Sequence, residues 1–291
     1  MFLSVRITVR KVLTAGLCLA VLAAALIWPS PSLPTATVPG TVEVSIIMYH
    51  GLLDDVKRQG TYVLDPSVFE EDLKWLTANG YRTVTVADLI AFVDGEGALP
   101  ERCVMLTFDD GYYNNYLYAY PLLEKYDVKM VFAPIVYYSE IFSRSDADHA
   151  VYSHATWEEL REMAASGRVE IQNHSYSMHS LKGRRGSTKM AVESDAAYKK
   201  ALVEDTEKAQ DLLTAEVGVT PNCYVYPFGA ISKGEESILR EMGFAATFTC
   251  ESRRNRITVG DGECLYGLGR YLRPPKVSSA QYFTETVGLS S

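Results

Sequence analysis

The 291-residue chain is 47% apolar, enough for one large α/β domain with a buried core. Its formal charge is −8, and the first thirty residues hold Arg6, Arg10 and Lys11 with no acid, leaving −11 on the rest. So acidic a body lacks the Lys/Arg surplus that drives binding to phosphate backbones. It argues against nucleic acid or a strongly anionic polymer as partner, and suits a sugar chain that is neutral or turns cationic.

The basic flank precedes the uncharged run Val12–Trp28, 17 residues long, at the lower edge of what spans a bilayer. Two readings stay open: an anchor whose basic end remains in the cytoplasm, or a signal peptide cleaved near Ala23-Ala24-Ala25. Both place the rest of the chain outside the cytoplasm, membrane-anchored or secreted. The segment 1–30 is followed by a Pro-rich linker, 31–41, and a single domain is expected over 42–291.

Within that domain Val44–Tyr49 reads as a buried strand. Asp65-Pro66 opens a helix with Phe69, Leu73 and Leu76 on its apolar face and a stop at Asn79-Gly80. Arg82–Val86 reads as a strand and Ala87–Val93 as a short helix. Cys103–Phe108 is a continuous apolar strand running into Asp109-Asp110-Gly111. A helix over Tyr113–Lys125 and a strand over Lys129–Val136 follow. Thr156, with Glu159 three residues on, forms a capping box for a helix to Ala165. Val169–Gln172 is a strand that enters Asn173-His174. A long amphipathic helix over Met190–Ala215, strand Tyr224–Tyr226, helix Gly234–Met242 and strand Phe244–Thr249 complete the series.

This βα alternation with about seven apolar strands predicts a parallel sheet covered by helices, as a barrel or an open doubly wound sheet. Asp109-Asp110, His174 and Pro227-Phe228-Gly229 all follow predicted strands. In parallel α/β folds those strand ends are where ligands bind. Two histidines and a carboxylate with an open position suit zinc or a similar divalent ion, and such an ion activates water for acyl hydrolysis. His174 and His179, five apart, would lie on different faces of a helix and can converge only from a loop.

Thr107-Phe108-Asp109-Asp110-Gly111, the His174…His179 pair and Tyr226-Pro227-Phe228-Gly229 together resemble the polysaccharide deacetylases with the NodB homology domain (carbohydrate esterase family 4-like). Met48-Tyr49-His50 and the four-residue gap between the histidines are similar to the branch of poly-N-acetylglucosamine deacetylases. The resemblance spans roughly Val44 to Arg273. It implies a single-domain distorted (β/α)7 barrel. It also implies metal ligation by Asp110, His174 and His179, zinc first with cobalt or nickel as alternatives. Asp109 would be the general base, and the Phe228 amide, in the turn with Tyr226 and Pro227, would help form the oxyanion hole. The substrate would be an N-acetylated polysaccharide at the cell envelope.

Two departures stand out. Many members carry an Arg at the place of Val225, where it positions the base, and a late His as general acid, whereas no histidine follows His179 here. His50 is the expected acid, and Arg270 or Arg273 the expected substitute for the Arg. Removal of O-acetyl esters, or a silent glycan-binding module, are the competing functions. Among smaller expectations, His149 and His154 face solvent in a polar loop. Cys103 and Cys223 are buried in strands, and Cys250 and Cys264 could close a disulfide.

Overall fold

The continuous apolar strands are buried on both faces, and side chains alternate between two cores. Along β1 (Thr41–Tyr49), Val44 and Ile46 join an inner cluster and Ile47 and Tyr49 an outer one. Along β5 (Cys103–Asp110), Cys103 and Met105 point in, Val104, Leu106 and Phe108 out. This is the period-2 pattern of a strand covered on both sides. The computed structural model describes residues 40–145 and 148–291. The apolar segment Val12–Trp28 and the spacer to residue 39 lie outside the described residues. Among those described, no helix is long and apolar enough to cross a membrane.

In parallel register, β1 pairs with β5, β5 with β6 (Met130–Pro134), and β6 with β7 (Val169–Ile171). A single bridge, Asn173 to Tyr224, continues to β8 (Cys223–Val225), which pairs with β9 (Ala246–Phe248). A second single bridge, Phe248 to Leu268, leads to the stretch ending in β11 (Tyr271–Leu272), which pairs back onto β1. Seven parallel strands thus close a ring, the expected (β/α)7 barrel, distorted at two joins. Outside it, β4 (Arg82–Thr83) lies beside β5, β10 (Asn255–Thr258) runs antiparallel to β1, and β2 (Gly51–Leu52) pairs with β3 (Val63–Leu64).

Most of the helices bury their apolar stripes against the outer cluster, but the one that begins at Val86 packs Val86, Leu89, Phe92 and Val93 against the inner one. α1 (Pro66–Ala78) is capped by Asp65 and contributes Phe69, Leu73 and Leu76. α6 (Trp157–Ala165) begins at the Thr156–Glu159 capping box read from the sequence. A second such box, Thr85–Asp88, starts α2 at Val86 and ends the preceding strand at Thr83, earlier than predicted. The helix expected over Tyr113–Lys125 breaks at Ala119 into α3 (Tyr113–Tyr118) and α4 (Tyr120–Tyr126), with Pro121 in the first turn of α4. Beyond β6 the chain turns into α5 (Val136–Phe142). α7 (Asp195–Leu212) starts later than predicted because Ser194 caps it, and α8 (Glu235–Glu241) lies within its predicted span.

Candidate metal centre and active site

Thr107 and Asp109 share the inward parity of Cys103 and Met105, so the Asp109 carboxylate points to the barrel axis at its C-terminal mouth. Strand parity would send Asp110 outward. It instead adopts φ +69°, with Gly111 at +81°, a left-handed turn that costs a non-glycine residue roughly 1 kcal/mol. A Cβ on Gly111 would stand 2.7 Å from Pro134 Cβ, so only glycine fits that step.

Arg270 grips Asp109 with both ends of its fork, Nη1 to Oδ1 at 2.6 Å and Nη2 to Oδ2 at 2.7 Å. Its Nε donates to the Thr249 carbonyl at 2.9 Å and Nη1 also reaches Thr107 Oγ1 at 3.2 Å. Both partners are buried, Arg270 at 0% and Asp109 at 2% exposure. Burial alone would raise the Asp109 carboxyl, but Arg270 and His174 outweigh it and hold the group below the usual carboxylate range.

The second half of the site is a loop after β7. Asn173 Oδ1 accepts from the Ser175 amide at 2.8 Å, and Ser175 is left-handed at φ +71°. Asp205 of α7 holds the next turn, accepting from the amides of Tyr176 and Ser177, each at 2.9 Å. The sequence expectation that the two histidines meet only from a loop therefore agrees with the backbone. His174 Nδ1 donates to the Val225 carbonyl at 2.7 Å, which turns Nε2 toward Asp110. From Asp110 Oδ1, His174 Nε2 is 3.5 Å away and His179 Nε2 3.3 Å.

Asp110 Oδ1 is buried yet takes no hydrogen bond. One potential ligand atom from each of Asp110, His174 and His179 lies within 4.8 Å of the others. One carboxylate oxygen and two imidazole nitrogens form a donor set that could hold zinc, cobalt or nickel. The electrostatics agree. Burial and the adjacent His174 push the His179 imidazole down to about 4, leaving a neutral ring with a free lone pair. The Asp110 carboxyl is held far below its usual range because the histidines outweigh its burial. His174 is raised because Asp110 and Asp109 outweigh its own. Such a cluster favours added positive charge.

The remaining expected residues divide. His50 directly follows β1 at the same mouth, packs edge-on against Tyr62 at 4.8 Å, and its buried Nδ1 has no hydrogen-bond partner. Burial lowers its pKa against the pull of Asp109 and Asp110. Phe228 is left-handed at φ +58° and lays its ring 4.2 Å from that of His179; Pro227 is buried beside it. Tyr226 departs from its expected place. Its side chain, 0% exposed, packs with Tyr224, Leu239 and Phe244 under α8, because its strand parity is opposite to that of Val225. Arg273 also goes elsewhere: it binds Asp72 of α1 rather than Asp109, so of the two arginines only Arg270 reaches Asp109.

His154 corrects a further expectation. It is 7% exposed rather than solvent-facing, with Nδ1 bonded to the Asp110 carbonyl at 2.9 Å, while His149 is exposed as expected. Cys103, Cys223, Cys250 and Cys264 are all free, the first two buried. The Val225 carbonyl, Asp205 and His154 were missed in the sequence: the first is a backbone group, and the other two lie on segments with no motif.

Comparison with known proteins accords with this arrangement. The sequence model described as "Polysaccharide deacetylase" matches residues 96–247, a little over half of the 291. The chain is 28% identical over 227 residues to poly-beta-1,6-N-acetyl-D-glucosamine N-deacetylase of Escherichia coli K12, covering 71% of this chain and 34% of that protein. It therefore spans about a third of the length of that relative. The Staphylococcus aureus MRSA252 protein of the same name is 25% identical over 199 residues, 68% of this chain and 64% of that one. A solved de-N-acetylase from Aggregatibacter actinomycetemcomitans superposes with a TM-score of 0.68 at 25% identity, covering 81% of this chain and 95% of that one. With its family model matched over more than half its length, and the barrel shared with such a neighbour, the chain belongs to the polysaccharide deacetylase family.

Proposed function

We propose that the protein is an extracytoplasmic, metal-dependent N-deacetylase acting on an N-acetylglucosamine polymer. One observation carries the reading: a bidentate Arg–Asp pair stands beside an Asp/His/His cluster with an orphaned buried carboxylate oxygen. The domain would occupy 42–291, behind a linker and an N-terminal anchor or signal. The names of the E. coli and S. aureus relatives favour a β-1,6-linked polymer as the first substrate to test. The acidic body suits a product that gains ammonium groups.

Asp110, His174 and His179 would hold the metal, which when bound supplies a Lewis acid for the acetamide carbonyl and acidifies water. Asp109, held ionised by Arg270, takes the proton of the attacking water as its oxygen bonds to the carbonyl carbon. A carboxylate below its usual pKa is a weak base, so it needs an acidified water to act on. The Phe228 amide faces the developing oxyanion. As the C–N bond breaks, the proton collected by Asp109 passes through His50, neutral at rest because burial lowers its pKa, to the leaving nitrogen, and acetate and a free amine result. The Arg270 fork favours this reading over a silent binding module, because it replaces the Arg missing at Val225 and a glycan-binding role has no use for a positioned base.

The test is acetate release from β-1,6- and β-1,4-linked N-acetylglucosamine oligomers by the full chain. Metal is first stripped with a chelator, then returned as zinc, cobalt or nickel. Release is expected only after metal is returned, and faster from the β-1,6 series. No release from either series by metal-loaded protein overturns the assignment. His50→Gln is expected to slow release about 100-fold with metal affinity retained, and full activity in that variant removes His50 from the mechanism.

A further inference from the structure

We infer that His154 is a positioning residue for the metal site, holding the left-handed backbone of Asp110 so that its carboxylate meets the two histidines. The inference rests on the reading of Asp110 as a ligand.

Asp110 is the one member of the cluster that strand geometry would aim elsewhere, and its φ of +69° must be maintained by its surroundings. Its carbonyl accepts two donors, the Ile135 amide at 3.2 Å and His154 Nδ1 at 2.9 Å. The first comes from the residue just after β6, the neighbouring strand. The second comes from a side chain 44 residues away in sequence.

A carbonyl can only accept, so Nδ1 carries the proton. The ring is fixed in that pose by aromatic neighbours. Tyr138 stacks on it at 4.4 Å and 19°, Phe142 at 5.7 Å and 24°, and Tyr112 lies at 4.8 Å. The backbone on either side of His154 is sewn to the same turn. The Ala155 amide donates to the Gly111 carbonyl at 2.8 Å, and the Tyr113 amide to the Ser153 carbonyl at 2.9 Å.

The stack also reaches the other half of the site. Tyr138 and Phe142 belong to α5, whose first amides, of Val136 and Tyr137, donate to the carbonyls of Ser175 and Tyr176 in the histidine loop. One short helix thus touches both turns that carry the candidate ligands, and His154 is its wedge against the Asp110 side. Groups that orient a metal ligand from behind typically change affinity about 10–100-fold when removed.

The substitutions separate the hydrogen bond from the stacking. Asn places an amide N–H near where His Nδ1 stands, so His154→Asn keeps the donor and loses most of the ring contact. His154→Phe keeps the ring and loses the donor. Chelator-stripped full-length protein is titrated with cobalt(II), read by its visible absorption. His154→Phe is expected to weaken cobalt binding about 10–100-fold and alter the cobalt spectrum. His154→Asn is expected to bind near wild type. Acetate release by the Phe variant should recover as cobalt is raised, which a fold defect would not do. Wild-type affinity and spectrum in the Phe variant, or equal weakening in Asn and Phe, overturns the inference.

If the Phe variant does not fold, His154→Asp against His154→Asn makes the same comparison in one shape, and equal cobalt binding by those two overturns it. Wild type that binds cobalt without releasing acetate refutes the reaction proposed above while the titration still decides the role of His154. Wild type that binds no cobalt refutes both.

Discussion

Two arginines three residues apart each grip an aspartate in the dark of the fold, and the pairs have different surroundings. Arg273 binds Asp72 through Nε at 2.9 Å and Nη2 at 3.0 Å, and Tyr49 donates a third bond to the same carboxylate at 2.9 Å. Its Nη1 goes to the Pro274 carbonyl and its fork lies 4.8 Å over Tyr282. Neither side chain is exposed, and the pair ties the end of the chain to α1. Arg270 and Asp109 make a shorter fork, at 2.6 and 2.7 Å, and their neighbours are Thr107, His50 and His174 at the barrel mouth. Burial raises the Asp72 carboxyl in spite of Arg273, whereas Asp109, just as deeply placed, is held low because His174 and His50 add to Arg270. An ion pair alone therefore does not define a site. What surrounds it decides whether the carboxylate is only a clamp or is also kept ionised at a polar mouth.

The largest expected contrast is between Asp109→Asn and Asp72→Asn. The first should lower acetate release about 10²–10⁴-fold with cobalt affinity kept, and the second should leave turnover per folded molecule near wild type. Equal losses in two natively folded variants would erase the distinction. Next come Arg270→Met and Arg273→Met. Each leaves a buried carboxylate unpaired and should lose about 3–5 kcal/mol in urea unfolding, yet only the first should slow the surviving folded enzyme. If Arg273→Met slows it equally, the clamp is coupled to the chemistry. The smallest effect is expected of the double change Asp72→Leu with Arg273→Met. Replacing a buried pair by apolar side chains is often close to neutral, so its unfolding midpoint should lie nearer wild type than either single change.

The sequence made the mouth of this barrel legible because chemistry there sits at strand ends. Asp109-Asp110 end a continuous apolar run, His174 follows the short strand Val169–Ile171, and Thr156–Glu159 announces its helix. Less legible was anything that depends on a turn of the backbone. The apolar run Lys129–Val136 gave no sign that it turns into α5 near Pro134, and Tyr226 could not be assigned a face without the register of β8. Arg270 and Arg273 are alike in composition and neighbourhood, and only pairing with Met48 and Glu251 through their backbone amides fixes which one meets the mouth. His154 was misread for a related reason: its ring is covered by Tyr112, Tyr138 and Phe142, which no local pattern records.

The ring of strands has a consequence for how the molecule breathes. It is joined by full ladders from β1 to β7, but β8 and β9 hang between two single bridges. The cheapest local opening of the barrel is therefore at those seams, and amide protons of Asn173, Val225 and Leu268 should exchange ahead of those in β5 and β6. Those seams also flank the carbonyl that orients His174 and the Pro227-Phe228 turn. The seam at Leu268 lies two residues from Arg270, whose fork reaches across to Asp109 on the fully laddered β5, so an opening there would slacken the arginine before it disturbed the aspartate.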